Sequence, residues 1–193
     1  IWSDTTPRSQ VEQTEFKNGL ITYYNRAPKF VDKFFRRGQL KCMATHQWHA
    51  RDMVIAGHIW KFSQHGKGLD KFGLLINDSG SARNGFLMLE HVEKKFDIKH
   101  LCIVYNLKEL QFKVLNPHLK DIIIAGSNPP IKFSELGKLR HPVGKFPFRR
   151  LLGFHALCAH KFAKEKGWIT EKECGDFQTF HDLSETASIP NIQ

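Results

Sequence analysis

Four side chains in the middle of the chain have the types and the spacing for metal-assisted attack on a phosphodiester. His58 stands near the end of an apolar run, VIAGHIW (Val54–Trp60). A loop rich in glycine, lysine and serine follows, and Asn84-Gly85 closes it. Glu93 and Asp97 lie nine and thirteen residues beyond Asn84, in the run FLMLEHVEKKFD (Phe86–Asp97). Positions four apart on a helix project from one face. Two carboxylates there suit a hard divalent cation, Mg²⁺ or Mn²⁺, better than zinc. A neutral imidazole on the strand ahead of the loop can take a proton from water near pH 7. The cation would polarise the scissile phosphate and stabilise the leaving oxygen. Such cleavage is expected to leave a 5′-phosphate and a 3′-hydroxyl.

Each residue by itself has a plainer reading. His58 is one of 11 histidines, and a lone histidine near a strand end is more simply a buried or turn residue. Glu93 and Asp97, beside Lys94 and Lys95, could be a solvated helix face, and Asn84-Gly85 a turn. The order of the four, the two offsets, the apolar run before them and the helical periodicity after favour a site over coincidence. His91, two residues before Glu93, would face another side of the helix and is not counted as a ligand.

The elements that must hold these residues can be read from periodicity. Arg8 to Asn25 has apolar residues at helical spacing (Val11, Phe16, Leu20, Tyr23 or Tyr24). Ser9 and Glu12 have the spacing of a capping box. Pro28 marks a break, and Lys29 to Gly38 reads as a short second helix. Gln39–Thr45 and Met53–Trp60 read as strands of a hairpin joined by the polar turn His46–Asp52. Ser63 to Arg83 reads as a long loop, of the kind usually retained for function. Phe86 to Phe96 reads as a helix with Leu87, Leu89, Val92 and Phe96 on one broad face. His100–Asn106 and Gln111–Pro117 suggest a second hairpin, with a third strand at Lys120–Gly126. Phe146 to Trp168 is the longest helical pattern, stopped by Gly167, and a shorter helix follows Thr170. Ile1–Pro7 reads as a lead-in and Ser184–Gln193 as a tail.

Composition sets the class. The chain has 193 residues, 41% of them hydrophobic, which suits one domain with a real core. Its longest apolar runs, such as Ile122–Ala125, are too short to cross a bilayer, so no membrane is expected as partner. The chain opens at Ile1 with no charged-then-apolar leader, and it looks like a fragment or a processed form. Lysine and arginine number 29 against 19 acidic residues, for a net charge of +10 and a pI near 9.5. That excess points to a polyanion such as DNA or RNA. Lys61, Lys67, Lys71 and Arg83, in or beside the loop, are the expected backbone contacts, with Arg149 and Arg150 at the start of the long helix. Lys145 is a further candidate there, while His155, His160 and the aromatics read as core or helix surface. The cysteines Cys42, Cys102, Cys158 and Cys174 have no C-x-x-C spacing, so free, mostly buried thiols and a reducing, intracellular setting are expected.

On these residues the chain resembles the HNH nucleases, in which a hairpin histidine, a loop asparagine and helix ligands at plus nine and plus thirteen build a ββα-metal fold. The resemblance implies His58 as general base, Asn84 as the residue that pins the loop, and Glu93 and Asp97 as metal ligands. The stretches GHIWKFSQHGKGLDKFGL, ARNGFLMLEHVEKKFD and HPVGKFPFRRLLGFHALCA more narrowly resemble the HNH-like domain of fungal and oomycete Crinkler-type effectors, from about Thr14 to Ile169. That likeness implies an effector acting on DNA in a host nucleus. Three positions depart from the HNH pattern. Gly57 stands where many such sites have a His or Asp ligand, Lys61 where a proline is usual, and Glu93 where a helix His or Asn is common.

The expected fold is therefore α+β: one domain, 1–193, with a central ββα-metal unit at about 39–98, a small antiparallel sheet, flanking helices and a helical C-terminal part at about 146–183. The expected activity is Mg²⁺- or Mn²⁺-dependent endonucleolytic cleavage of DNA with little sequence preference. The alternative is a non-catalytic DNA- or RNA-binding module on a degenerate HNH fold, which Gly57 keeps in view. A protein-interaction domain with incidental basic charge is a third reading.

Overall fold

The computed structural model describes residues 9–29, 36–106 and 109–184. Within them, four α-helices surround three two-stranded antiparallel sheets, a mixed α+β arrangement. The lead-in Ile1–Pro7, most of the helix expected over Lys29–Gly38 and nearly all of the tail lie outside the described residues.

The first helix, α1 (Gln10–Tyr23), starts where its capping box predicts: the Ser9 hydroxyl accepts from the Glu12 N–H, and the Glu12 carboxylate accepts from the Ser9 N–H at 3.0 Å. Phe16, Leu20 and Ile21 form its buried face. Val11, expected on that face, is instead 66% exposed, because it lies ahead of the part of the helix that reaches the sheet.

The strand pairing differs from expectation. β1 (Gln39–Lys41) pairs with β2 (Trp48–Ala50), inside the segment read as a polar turn. The reversal is closed by the Cys42 N–H donating to the Gln47 carbonyl at 3.0 Å. β3 (Val54–His58) pairs instead with β4 (Gly85–Leu89), so that Gly57 faces Phe86 and His58 faces Gly85. Phe86–Leu89 is thus a strand, and the helix, α2 (Glu90–Asp97), begins four residues later than its apolar pattern suggested. All five residues of β4 are buried. A short, wholly buried strand has no polar alternation, so periodicity cannot tell it from the first turn of a helix.

The loop between β3 and β4 is built from four short 3₁₀ turns, at Phe62–Gln64, Leu69–Phe72, Ile76–Gly80 and Ala82–Asn84. Leu69 and Phe72 anchor it in the core. β5 (Leu101–Asn106) and β6 (Glu109–Val114) make the second hairpin. Lys120–Gly126 is not a strand: a single bridge links Ile123 to Lys132, and Ile122 and Ile123 are exposed. Ile124 alone of the three isoleucines is buried, and the run lies along Ile131–Phe133 through a few backbone bonds without a strand's ladder. The long helix, α3 (Arg149–Glu165), packs on β5 through Leu151, Leu152, Ala156 and Ala159, and α4 (Glu171–Ser184) packs on α3. Phe162, on the same helix, is only partly covered. Cys42, Cys102 and Cys174 are buried and Cys158 half-buried, all as free thiols. Among the described residues no helix is long and apolar enough to cross a membrane.

Candidate active site

β3, the loop, β4 and α2 follow one another in the chain, and Asn84 ties them together. Its side chain is fully buried. Its Oδ1 accepts from the Trp60 N–H at 2.8 Å, while Nδ2 donates to the Trp60 carbonyl at 3.0 Å and to the Ser79 carbonyl at 2.9 Å. The Ile59 N–H donates to the Asn84 carbonyl at 2.9 Å. One amide thereby locks the end of the loop to the residues just after His58. An amide is the group that can do this, since it offers an acceptor and two donors on one short arm.

His58 ends β3 with its ring stacked on Phe16 of α1, centroids 3.9 Å apart and planes 11° from parallel. It lies in a groove of about 590 Å³ between β3 and the first turns of α1. Side chains alternate along a strand, so Gly57 faces the other way. A Cβ at Gly57 would stand 2.8 Å from Glu93 Cγ and 2.7 Å from the Phe86 ring. The missing side chain is what lets the Glu93 arm lie across the strand, in the space where a ligand on β3 itself would project. At Gly85, opposite His58, a Cβ would meet the Phe16 ring at 2.6 Å, so this glycine admits the aromatic that backs the histidine.

Glu93 and Asp97 share one face of α2. Burial, and then the Asp97 carboxylate, push the Glu93 carboxyl up to about 7, with Lys61 acting in the opposite direction. Asp97 pairs with Lys61 at 2.9 Å, with side chains 33% and 59% exposed. An ion pair this open is worth at most about 1 kcal/mol, so a cation can displace Lys61 at small cost. Two close carboxylates, one of them held back from ionising, form a donor set that a hard divalent cation completed by water fits. Glu93 and Asp97 would hold it. Among the described residues no group of three or more His, Cys, Asp or Glu side chains has the geometry of a metal site.

The elevated Glu93 carboxyl has a consequence for stability. The folded chain keeps a proton that the unfolded chain releases above its ordinary value of 4.5. Folding stability therefore falls as pH rises from 4.5 through about 7, and the whole penalty is felt above that. Glu93→Gln removes it: with the shift discounted for the part of the side chain that water still screens, the variant gains on the wild type in urea unfolding by about 2 kcal/mol between pH 4.5 and pH 8. Parallel pH profiles for the two proteins would contradict the burial and charge environment described here.

The basic residues divide into three groups. Lys61 is engaged by Asp97. Lys67 and Lys71 are exposed on the loop. Arg83, Arg149 and Arg150 come together around a cavity of about 400 Å³ with no acidic residue in its lining. Arg83 lies over the Phe148 ring, Arg149 over Tyr105, and Arg150 donates to the Phe72 carbonyl at 2.8 Å. Lys145 sits over the Tyr23 ring. Sequence reasoning did not connect Phe16 to His58 or Trp60 to Asn84: these contacts span long separations and leave no local pattern.

Residues 42–104 match the family model described as HNH endonuclease, a stretch that contains His58, Asn84, Glu93 and Asp97. No curated protein and no solved structure matches the chain. An HNH endonuclease domain implies nucleic acid as the substrate class and hydrolysis as the reaction.

Proposed function

We propose that the protein is a metal-dependent endonuclease that hydrolyses phosphodiester bonds of DNA with little sequence preference. The observation that carries this reading is the Glu93–Asp97 pair on one face of α2, with the Glu93 carboxyl raised by burial and by Asp97 and its arm laid across Gly57, next to His58 on β3, inside the segment that matches the HNH model. A divalent cation, Mg²⁺ or Mn²⁺, would supply charge neutralisation at the phosphate and the leaving oxygen. His58 takes the proton from the attacking water. In-line displacement needs the attacking and leaving oxygens on opposite sides of phosphorus. The alternation of β3 turns His58 toward α1 and Gly57 toward Glu93, so one phosphate meets both base and metal only at the end of that strand. Asn84 keeps the loop and strand end in register, and Phe16 holds the imidazole plane. Arg83, Arg149, Arg150, Lys67 and Lys71 hold the sugar–phosphate chain, contacts that position nucleic acid without reading sequence.

Plasmid nicking tests the reading. Supercoiled DNA is nicked in Mg²⁺ or Mn²⁺ and not in EDTA, and the ends carry 5′-phosphates. Glu93→Ala with Asp97→Ala abolishes nicking and leaves salt-sensitive DNA binding in place. Cleavage in EDTA would sink the metal assignment.

A non-catalytic nucleic-acid-binding module is the second reading. The Asp97–Lys61 ion pair and the empty side-chain position at Gly57 favour it. Binding to DNA that weakens with salt, without nicking in any divalent metal, would select it. The likeness to Crinkler-type domains supports an effector acting in a host nucleus. Nuclear accumulation of the tagged chain in host cells tests that placement.

A further inference from the structure

Beside Asp97 the fold forms a partly open cavity of about 420 Å³ that the hydrolytic scheme does not use. It lies between α3 and the turn that follows β3. Ile59, Leu151 and Phe154 make its walls apolar. Trp60 joins them, 6.0 Å from Phe154 and 5.5 Å from Phe72 between ring centroids, in an aromatic wall shared with the arginine cavity behind it. Two of the residues that line it carry a buried polar atom with no partner: Trp60 Nε1, a donor, and His155 Nδ1.

The state of His155 follows from its contacts. Nε2 lies 3.0 Å from the Phe96 carbonyl, which can only accept, so Nε2 bears the hydrogen. Burial pushes the imidazole down to about 4, so it is neutral and Nδ1 is a bare acceptor. Both atoms lie behind the surface of the wall, so what the wall offers to the cavity is mainly apolar. Lys61 and Lys99 are the two cations of its lining, and Asp97, the partner of Lys61, is its one acidic residue.

We propose that this cavity takes one unpaired base of the nucleic-acid strand, and that the enzyme's substrate is therefore single-stranded or locally opened at the scissile position. A base can lay an apolar face against the wall that Trp60 and Phe154 form together. Lys61 and Lys99 meet the phosphates that enter with it. A paired base inside a duplex cannot reach such a site without leaving the stack. The inference rests on the Glu93–Asp97 face being where the phosphodiester is held.

Binding in EDTA, where no cleavage occurs, tests it. The probes are a labelled single-stranded oligonucleotide, an abasic sugar–phosphate chain of the same length, and a blunt duplex. Cys158 lines the cavity and is not part of the hydrolytic scheme. Cys158→Phe fills the space, and Cys158→Ser is the control. The wild type and Cys158→Ser bind the oligonucleotide roughly tenfold more tightly than the abasic chain, and Cys158→Phe loses that preference while keeping its affinity for the abasic chain. The bound oligonucleotide also slows alkylation of Cys158 by iodoacetamide, a measurement that stands if Cys158→Phe does not fold. Equal affinity for the oligonucleotide and the abasic chain, or unchanged alkylation in the complex, overturns the base pocket; Mg²⁺-dependent nicking in the same preparation leaves the nuclease reading standing. Failure to bind any of the three probes overturns both.

Discussion

His58→Ala lowers Mg²⁺-dependent plasmid nicking by roughly 10²- to 10⁴-fold, the range a positioned general base contributes, while the protein stays folded. The side chain ends a strand and is only partly buried. What is lost in packing is the stack on Phe16, worth about 1 kcal/mol. The decisive comparison is the nicking rate at equal occupancy of DNA, measured with circular dichroism of both proteins. His58→Ala that nicks at the wild-type rate would remove the imidazole from the mechanism. A fall in DNA binding of the same size as the fall in nicking would recast His58 as a binding residue.

Asn84→Ala costs about 3–5 kcal/mol of folding stability, the largest loss expected from a single substitution in this region. The Trp60 N–H, the Trp60 carbonyl and the Ser79 carbonyl all lose their partner, each in a site closed to water on the Asn84 side. Asn84→Asp is a sharper probe. It keeps the acceptor for the Trp60 N–H and loses both donations, placing a carboxylate against two carbonyls. Its urea midpoint therefore falls as far as that of the alanine variant or further, and nicking falls with it because the strand end is released from the loop. A loss under about 1 kcal/mol in either variant would mean that the backbone bonds from Ile59 and Ser81 hold the turn without the side chain.

The two substitutions separate chemistry from scaffold. His58 acts at the surface of a folded protein; Asn84 acts on whether the strand end and the loop keep one geometry. Glu93 lies between these cases. Its carboxyl is costly to ionise in the folded chain, which destabilises the protein at neutral pH and leaves a site that a cation can relieve.

The sequence by itself determined the local elements. The Ser9–Glu12 capping box, the 3.6-residue pattern of α3 and the alternation of β5 and β6 can be read because each depends on residues close in the chain. It also determined which residue types stand at which offsets, since the spacing of Asn84, Glu93 and Asp97 is a property of the string. The tertiary structure decided the rest. β3 pairs with β4 across the whole loop, and no short window contains that choice. Phe86–Leu89 became strand because β3 on one side and Met43 on the other take up its backbone bonds, and burial on all sides erased the alternation that would have revealed it. Only the fold could show that His58 and Glu93 sit on opposite faces of one strand, that a glycine between them leaves room for a carboxylate, and that Asp97 shares the lining of a cavity with residues of α3. Those relations are set by packing between segments far apart in the chain, where sequence spacing carries no information.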